Sequence, residues 1–252
     1  MISEPFIAGP SAIHRLDPRV RVVMATAFAA VSAVLSGFAS LAAALGVALA
    51  VALCARLPGI PLLKRLALVN LFILFLWATL PLTFGGPAVG HVGPLPLSRE
   101  GVLLAARITL KSNAILLALI ALVATMSFAS LGHALGCLRL PSKILQLLLL
   151  TYRYVFVIEQ EYNRLWRAAR VRGFRPGTDL HTYRTYAYLL GMLFIRAFER
   201  AQRVHQAMRC RGFQGRFYSL QRFALGPQDW TAALLMFGTL CGMVILEWTQ
   251  RN

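Results

Sequence analysis

Long apolar stretches separated by short polar segments dominate the hydropathy pattern of this chain. A bilayer core is crossed by roughly 20 helical residues, and five stretches come close enough to that length to be predicted as transmembrane helices. They occupy residues 20–36, 38–55, 66–83, 112–131 and 230–246. The pattern therefore predicts an all-α, polytopic membrane protein with about five transmembrane helices.

Two cations lie just before the fourth apolar stretch, within the helix to which we expect that stretch to belong. We expect its helix to begin near Arg99, which places Arg107 and Lys111 one turn apart within the first few turns. Cations at such a depth often meet a polar partner, so this pair could contact a partner subunit within the membrane. Long basic side chains near a helix end also extend to the membrane interface without a specific partner. The sequence leaves both interpretations open.

Two shorter apolar runs follow, at residues 144–158 and 185–198. At 1.5 Å per residue they measure only about 22 and 21 Å, too short to cross a bilayer easily. Each continues without a helix breaker into a basic segment, and Pro176-Gly177 separates the two units. We predict two long bent helices, each with an apolar half against the membrane core and a basic half in the cytoplasm.

These elements predict three parts of the chain. A four-span transmembrane part comes first, a cytoplasmic region of long helices second, and a last transmembrane helix third. The predicted boundaries are residues 1–131, 132–228 and 229–252. The basic patch at residues 14–21 precedes the first apolar stretch, and we do not expect it to be part of a cleaved leader.

Composition and charge agree with a membrane protein. Of the 252 residues, 58% are hydrophobic and 14% are charged, and the mean hydropathy is +0.65. Such a chain is too apolar for an ordinary soluble domain. A net charge of +17 would suggest nucleic acid as a partner of a soluble protein. Here the cations flank apolar runs, which the positive-inside rule explains more simply.

The distribution of cations also predicts an orientation. If the predicted helices alternate in direction, one side of the membrane collects six cations near the first four helices, namely Arg15, Arg19, Arg21, Arg56, Lys64 and Arg65. The opposite loops, near Gly37 and across residues 84–98, contain neither lysine nor arginine. The N-terminus is therefore predicted to be cytoplasmic.

An eleven-residue pattern occurs twice in the basic region, with an offset of 39 residues. Residues 164–174 read R-L-W-R-A-A-R-V-R-G-F, and residues 203–213 read R-V-H-Q-A-M-R-C-R-G-F. One Arg-Gly helix ending would be ordinary. A whole unit that recurs between different flanking sequences indicates two similar partners.

Helical spacing organises each copy in the same way. In the first copy Arg164, Ala168 and Arg172 lie at i, i+4 and i+8, so they share one helix face. The second copy repeats this spacing with Arg203, Ala207 and Arg211. Gly173 and Gly212 follow where a left-handed residue closes a helix, and the preceding cations complement the helix dipole.

Signatures of catalysis and of metal binding are missing. The sequence contains no G-x-x-x-x-G-K-[ST], H-E-x-x-H, G-x-S-x-G or C-x-x-C motif. Four cysteines without close pairs predict neither a disulfide framework nor a zinc site. His91 could meet a metal, but a solvated loop histidine is the simpler interpretation. We therefore expect no enzyme, and expect substrate recognition and energy supply to belong to other chains.

The motifs resemble those of a known family. Residues 140–141 (L-P), 152–157 (Y-R-Y-V-F-V), Glu161 and residues 168–174 resemble the T component of energy-coupling factor (ECF) transporters. Residues 199–215 are similar to the CbiQ branch, which serves cobalt and the related nickel transport, and residues 16–19 (L-D-P-R) also fit. The resemblance covers most of the chain.

The resemblance implies a non-enzymatic scaffold in the inner (plasma) membrane. Such a scaffold joins two ABC-type ATPase subunits (CbiO-like) to a substrate-capturing membrane subunit (CbiM-like, with a CbiN-like chain). ATP and Mg²⁺ are then bound by the ATPase subunits, and this chain carries no cofactor and no metal. Its partners are these subunits and membrane lipid, not nucleic acid.

The resemblance also implies which residues dock. Two coupling helices of the family each end in an Ala-Arg-Gly-like motif, whose arginine enters a groove of one ATPase. By position, the coupling residues are Val171, Arg172 and Gly173 with the preceding Arg170, and Cys210, Arg211 and Gly212 with the preceding Arg209. Val171 and Cys210 stand where the family often has alanine; both are small and apolar.

Three other classes of function remain as alternatives. A self-contained permease or channel would use Arg107, Lys111 or His91, but the chain lacks buried acidic or thiolate ligands. A membrane enzyme acting on lipid or isoprenoid would require paired acids or a metal cluster. Binding of nucleic acid or anionic lipid by the basic region needs no paired Arg-Gly endings and would weaken steeply with salt.

Overall fold

A computed structural model describes residues 11–83, 88–92, 95–215 and 225–251. The chain forms two compact units. The membrane unit contains the described residues up to 134 and those from 225 onward, and the crossed-helix unit contains the described residues from 135 to 215. Nine helices and one hairpin form the described structure, in the order α1 Ala12–Arg15, α2 Pro18–Val34, α3 Phe38–Cys54, α4 Gly59–Thr83, β1 Ala88–Val92, β2 Leu95–Ser98, α5 Arg99–Leu122, α6 Phe128–Cys137, α7 Ser142–Val171, α8 Leu180–Cys210 and α9 Pro227–Arg251.

The predicted all-α membrane architecture is confirmed. Three helices, α4, α5 and α9, are long and apolar enough to cross a membrane, and α3 is a shorter apolar helix. The segment between the third and fourth apolar stretches, which the sequence predicts to be a loop, contains the antiparallel hairpin of β1 and β2. His91 lies in β1, paired with Pro96.

Helix α5 is the centre of the membrane unit, packing against α2, α3 and α4, while α9 packs against α2 and α3. Every fourth residue of α3 is small and buried, as at Ala44, Ala48 and Ala52, and α5 contributes the buried Ala114 and Ala118 to the same cluster. In the absence of a hydrophobic driving force between helices in lipid, small residues allow close backbone contact.

The predicted start of α5 is confirmed, and its predicted end is wrong. Ser98 caps the helix by accepting a hydrogen bond from the amide of Gly101. The helix then stops at Leu122 instead of continuing to residue 131, and α6 begins separately at Phe128. Ser127 caps the start of α6 by accepting a hydrogen bond from the amide of Ser130 at 3.2 Å. The carbonyl of Leu122, left without a partner in its own helix, accepts a hydrogen bond from Arg21 at 3.0 Å.

Arg21 also has a structural role within the membrane unit. Its side chain is buried, with only 2% of its surface exposed. Its Nε binds the Leu122 carbonyl and a terminal nitrogen binds the hydroxyl of Thr125, which itself donates to the carbonyl of Ala121 at 2.8 Å. One guanidinium therefore fixes the end of α5 from α2.

Two carboxylates of α9 bind the N-terminal ends of α2 and α3. Asp229 at the start of α9 accepts a hydrogen bond at 2.7 Å from the amide of Asp17, the residue that caps α2. Near the other end of α9, Glu247 accepts bonds from the amides of Ser36 and Gly37 and from the hydroxyls of Ser36 and Ser40, at the start of α3. Each carboxylate satisfies amide groups that a helix start would otherwise leave unpaired.

Candidate functional site: two arginine helix ends

The first copy of the repeat forms the end of α7, and we call residues 170–174 the first arginine end. Arg172 is the C-cap residue, and Gly173 adopts the left-handed conformation with φ +83°. The amide of Gly173 donates to the carbonyl of Arg170 at 3.0 Å, and the amide of Phe174 donates to the carbonyl of Ala169 at 3.1 Å. The predicted closing glycine is confirmed here.

The second copy folds in the same way at the end of α8, and residues 209–213 are the second arginine end. Arg211 is the C-cap residue, and Gly212 has φ +77°. The amide of Gly212 donates to the carbonyl of Arg209 at 3.0 Å, and that of Phe213 donates to the carbonyl of Met208 at 3.1 Å. One local sequence therefore produces one backbone geometry twice.

The arginines of both ends are exposed. So are their neighbours in the motifs; Val171 has 88% of its surface exposed. Within the described part of the chain, neither Arg172 nor Arg211 forms an ion pair or a side-chain hydrogen bond. Both guanidinium groups are thus open for a carboxylate partner, which they can bind with two parallel hydrogen bonds.

An aromatic cluster holds the first arginine end against the beginning of α8. Trp166 stacks on Tyr186 at 5.7 Å between ring centroids, and the Phe174 ring meets both of them edge-on at 5.7 and 5.8 Å. Such contacts between aromatic pairs add roughly 0.5–1.5 kcal/mol beyond the burial of area. Sequence reasoning missed this cluster, although Trp166 and Phe174 lie within the repeat.

The second arginine end lies against the beginning of α7. The side-chain amide of Gln146 donates to the carbonyl of Gly215, and Phe213 lines a groove together with Gln146 and Met208. Each end is therefore held by the N-terminal half of the other helix, and the two helices run antiparallel.

The middle of this antiparallel pair contains an ion pair. Glu161 of α7 accepts a hydrogen bond from Arg196 of α8, and Arg164 lies 3.5 Å from its second oxygen. The hydrogen bond from Arg196 lowers the pKa of Glu161 below its ordinary value of 4.5. The carboxylate is therefore ionised at neutral pH. Glu161 belongs to the motif that resembles the family, but nothing in the sequence pairs it with Arg196.

Apolar side chains on α7 and α8 remain largely uncovered. Among the described residues from 135 to 215, only Glu161 and Thr182 are buried, and both are polar. Large side chains are exposed along the same helices, including Leu147 at 66%, Phe194 at 76% and Phe198 at 66%. Exposed apolar patches of this kind mark surfaces for protein or membrane contact.

The two cations predicted within α5 bind this same chain. The ammonium of Lys111 donates to the carbonyl of Ala33 at 2.9 Å, in the last turn of α2. The guanidinium of Arg107 lies 5.2 Å from the ring centroid of Phe38, at the start of α3. Both are partly buried beside the connection between α2 and α3, so a contact with a substrate-binding subunit stays a prediction.

No group of three or more histidine, cysteine, aspartate or glutamate side chains that could hold a metal ion occurs among the described residues. The four cysteines, Cys54, Cys137, Cys210 and Cys241, are free and exposed.

Comparison with known proteins yields consistent matches. A family model, CbiQ, described as cobalt transport protein, matches residues 9–221. The ECF transporter transmembrane protein EcfT of Bacillus subtilis is 27% identical over 226 residues, covering 85% of each chain. The EcfT of Acidaminococcus fermentans is 25% identical over 256 residues, or 96% of this chain and 95% of its own. The cobalt transport protein CbiQ of Rhodobacter capsulatus is 31% identical over 144 residues, or 55% of this chain and 59% of its own.

The family match covers most of the chain, including both arginine ends, and the relatives named above are transporter components. The resemblance inferred from the repeated motifs is thereby confirmed. This chain is a multi-pass membrane protein of the CbiQ family, and it is a transmembrane (T) component of an energy-coupling factor transporter.

Proposed function

We propose that this chain couples two ABC-type ATPase subunits to a substrate-binding membrane subunit, with Arg172 and Arg211 each docked in one ATPase. The observation that carries the proposal is the pair of exposed helix ends with the same backbone geometry, whose guanidinium groups have no partner among the residues that the structure describes. A guanidinium is permanently charged and binds a carboxylate through two hydrogen bonds, so it supplies both strength and orientation.

The mechanism needs only these contacts and stiff helices. When the ATPases close on ATP and reopen after hydrolysis, their grooves move, and the two docked ends move with them. Helices α7 and α8, with 30 and 31 residues, carry this displacement toward the substrate-binding subunit. ATP and Mg²⁺ belong to the ATPase subunits in this proposal.

The uncovered apolar surface of α7 and α8 supports the presence of a further membrane partner. Phe194 and Phe198 lie on one face of α8, and leaving such side chains in water is unfavourable by roughly 1.5–3 kcal/mol each. A membrane subunit of CbiM type, with a CbiN-like chain, fits this surface. Arg107 and Lys111 are weaker candidates for that contact because each already binds a group of this chain.

Cobalt is the proposed substrate, with nickel as the alternative. The family description and the Rhodobacter relative name cobalt. In this proposal the substrate-binding subunit recognises the metal, the chain lies in the inner membrane, and its N-terminus is cytoplasmic, as the cations before α2 favour.

Co-purification from the native membrane tests the proposal. We expect two nucleotide-hydrolysing subunits and a separate multi-span membrane protein to co-purify with each tagged chain. A self-contained permease, the alternative, predicts metal uptake when this chain is expressed alone. Uptake by the isolated chain, with no ATPase retained, would overturn the coupling proposal.

The closing glycines provide a finer prediction. Replacing Gly173 or Gly212 by alanine forces a side chain into the left-handed region at a cost of roughly 1–2 kcal/mol. We expect each variant to weaken ATPase binding about tenfold, measured by titration of purified ATPase onto the chain in nanodiscs. Gly191→Ala within α8, where an added methyl group meets open space, is the matched control and should bind normally.

A further inference from the structure

We propose that Glu161 is the pivot of the crossing between α7 and α8. Held by Arg196 of α8, it sets the angle between the two helices and thereby the distance between the two arginine ends. It touches neither an ATPase nor a substrate in this role, so it is a positioning residue. The proposal rests on the proposed function, because the distance matters only if both ends dock together.

The aromatic cluster and the Gln146–Gly215 hydrogen bond hold the two ends of the helix pair, and the Glu161–Arg196 contact holds its middle. Two helices usually take their crossing angle from interdigitating apolar side chains. Among the described residues from 135 to 215 no hydrophobic side chain is fully buried, and Glu161 is the one buried residue of α7. A charged hydrogen bond between the helices has a preferred direction, which the partly exposed aliphatic contacts near it lack.

Three guanidinium groups depend on the same carboxylate. Arg196 and Arg164 bind its two oxygens from α8 and α7, and Arg200 adds a favourable charge interaction from α8. Without the carboxylate, cations of both helices would face each other across the crossing. The loss of Glu161 is therefore expected to replace an attraction between the helices by a repulsion.

The residues just before the two copies of the repeat differ in charge. With the offset of 39 residues, position 161 corresponds to position 200, and these hold Glu161 and Arg200. The copies match at both arginine ends, but the residues before them are opposite in charge where the helices meet. Opposite charges favour the pairing of α7 with α8 and disfavour an alternative register with like charges in contact.

The distance between the arginine ends can be measured directly. Spin labels are placed on the native Cys210 and on Val171→Cys, both at exposed positions, in the full-length chain in nanodiscs. The remaining cysteines, Cys54, Cys137 and Cys241, are replaced by serine. Pulsed electron paramagnetic resonance then gives the distribution of distances. We expect Glu161→Ala to broaden that distribution at least twofold.

A matched control removes a carboxylate of the same unit that does not join the helices. Glu199 pairs with Arg203 on α8 itself, at 3.8 Å, and both side chains are exposed. Glu199→Gln should leave the distance distribution unchanged. Arg196→Gln removes the pivot contact from the other helix, so it should reproduce the broadening even if Glu161→Ala folds poorly.

The outcomes separate the pivot from the coupling function. The pivot proposal would be overturned if the distance distribution of Arg196→Gln, and that of any folded Glu161→Ala protein, were as narrow as the distribution of the parent. In assembled transporter we expect Glu161→Ala to reduce transport per ATP hydrolysed at least fivefold. If the ATPases still bound a chain without Arg172 and Arg211, the coupling proposal would fail. The distance measurement would still test whether Glu161 sets the angle between the helices.

Discussion

Replacing Arg172 and Arg211 together by alanine is expected to weaken the binding of the ATPase subunits by about a thousandfold. Truncating one partner of a desolvated charge pair typically costs roughly 2–5 kcal/mol, and even the lower figure is about 30-fold in affinity. The two ends are on different helices, so their losses should add. Each single variant should show about 30-fold weaker binding, and transport should be lost in the double variant.

The control for this prediction removes the same charge elsewhere. Arg167 of α7 and Arg184 of α8 are also exposed, but they lie outside the helix ends. Binding of purified ATPase to the chain in nanodiscs should be nearly normal for Arg167→Ala/Arg184→Ala. Equal weakening by both double variants would instead indicate general attraction by a basic surface, and specific docking by the arginine ends would be wrong.

Replacing Arg21 by alanine is expected to destabilise the membrane unit by about 3 kcal/mol. The variant loses two hydrogen bonds from a buried guanidinium, to the Leu122 carbonyl and to Thr125, and leaves the end of α5 unsatisfied. For a chain of this length the loss corresponds to roughly 6–12 °C in melting temperature. Thermal unfolding of the purified chain in detergent measures it.

Two comparisons separate hydrogen bonding from topology. Arg15→Ala removes an exposed cation on the same side of the predicted membrane and should leave the melting temperature nearly unchanged. Arg21→Lys keeps the charge that orients the chain but lacks the planar fork, so it should lie between the parent and Arg21→Ala. A lysine variant as stable as the parent would show that the charge alone is needed at this position.

The arginine ends illustrate how much was predictable. The spacing of Arg172 and Gly173 predicted a helix that closes on a left-handed glycine, and the same inference held for Arg211 and Gly212. This succeeded because helix closure depends on residues within one turn of one another. The partners of these arginines depend on other chains, so their docking stays a prediction.

The contacts that sequence reasoning missed all join distant parts of the chain. Arg21 was interpreted only as a flanking cation because its acceptor, Leu122, is 101 residues away. Glu161 belongs to the motif that resembles the family, but its partner Arg196 lies 35 residues further along the chain, on another helix. The early end of α5 coincides with a local cap, Ser127 at the start of α6, and with the distant contact from Arg21 to the Leu122 carbonyl.

By itself, the sequence determined the all-α membrane class, the two long helices and the geometry of their ends. Hydrophobic periodicity, apolar length and glycine conformation are local properties, and they do not require knowledge of any neighbour. Three contacts depend on how the helices pack: Arg21 binds the end of α5, Lys111 binds the end of α2, and Glu161 pairs with Arg196. A buried charge needs a partner in space, and the chain can bring that partner from any distance.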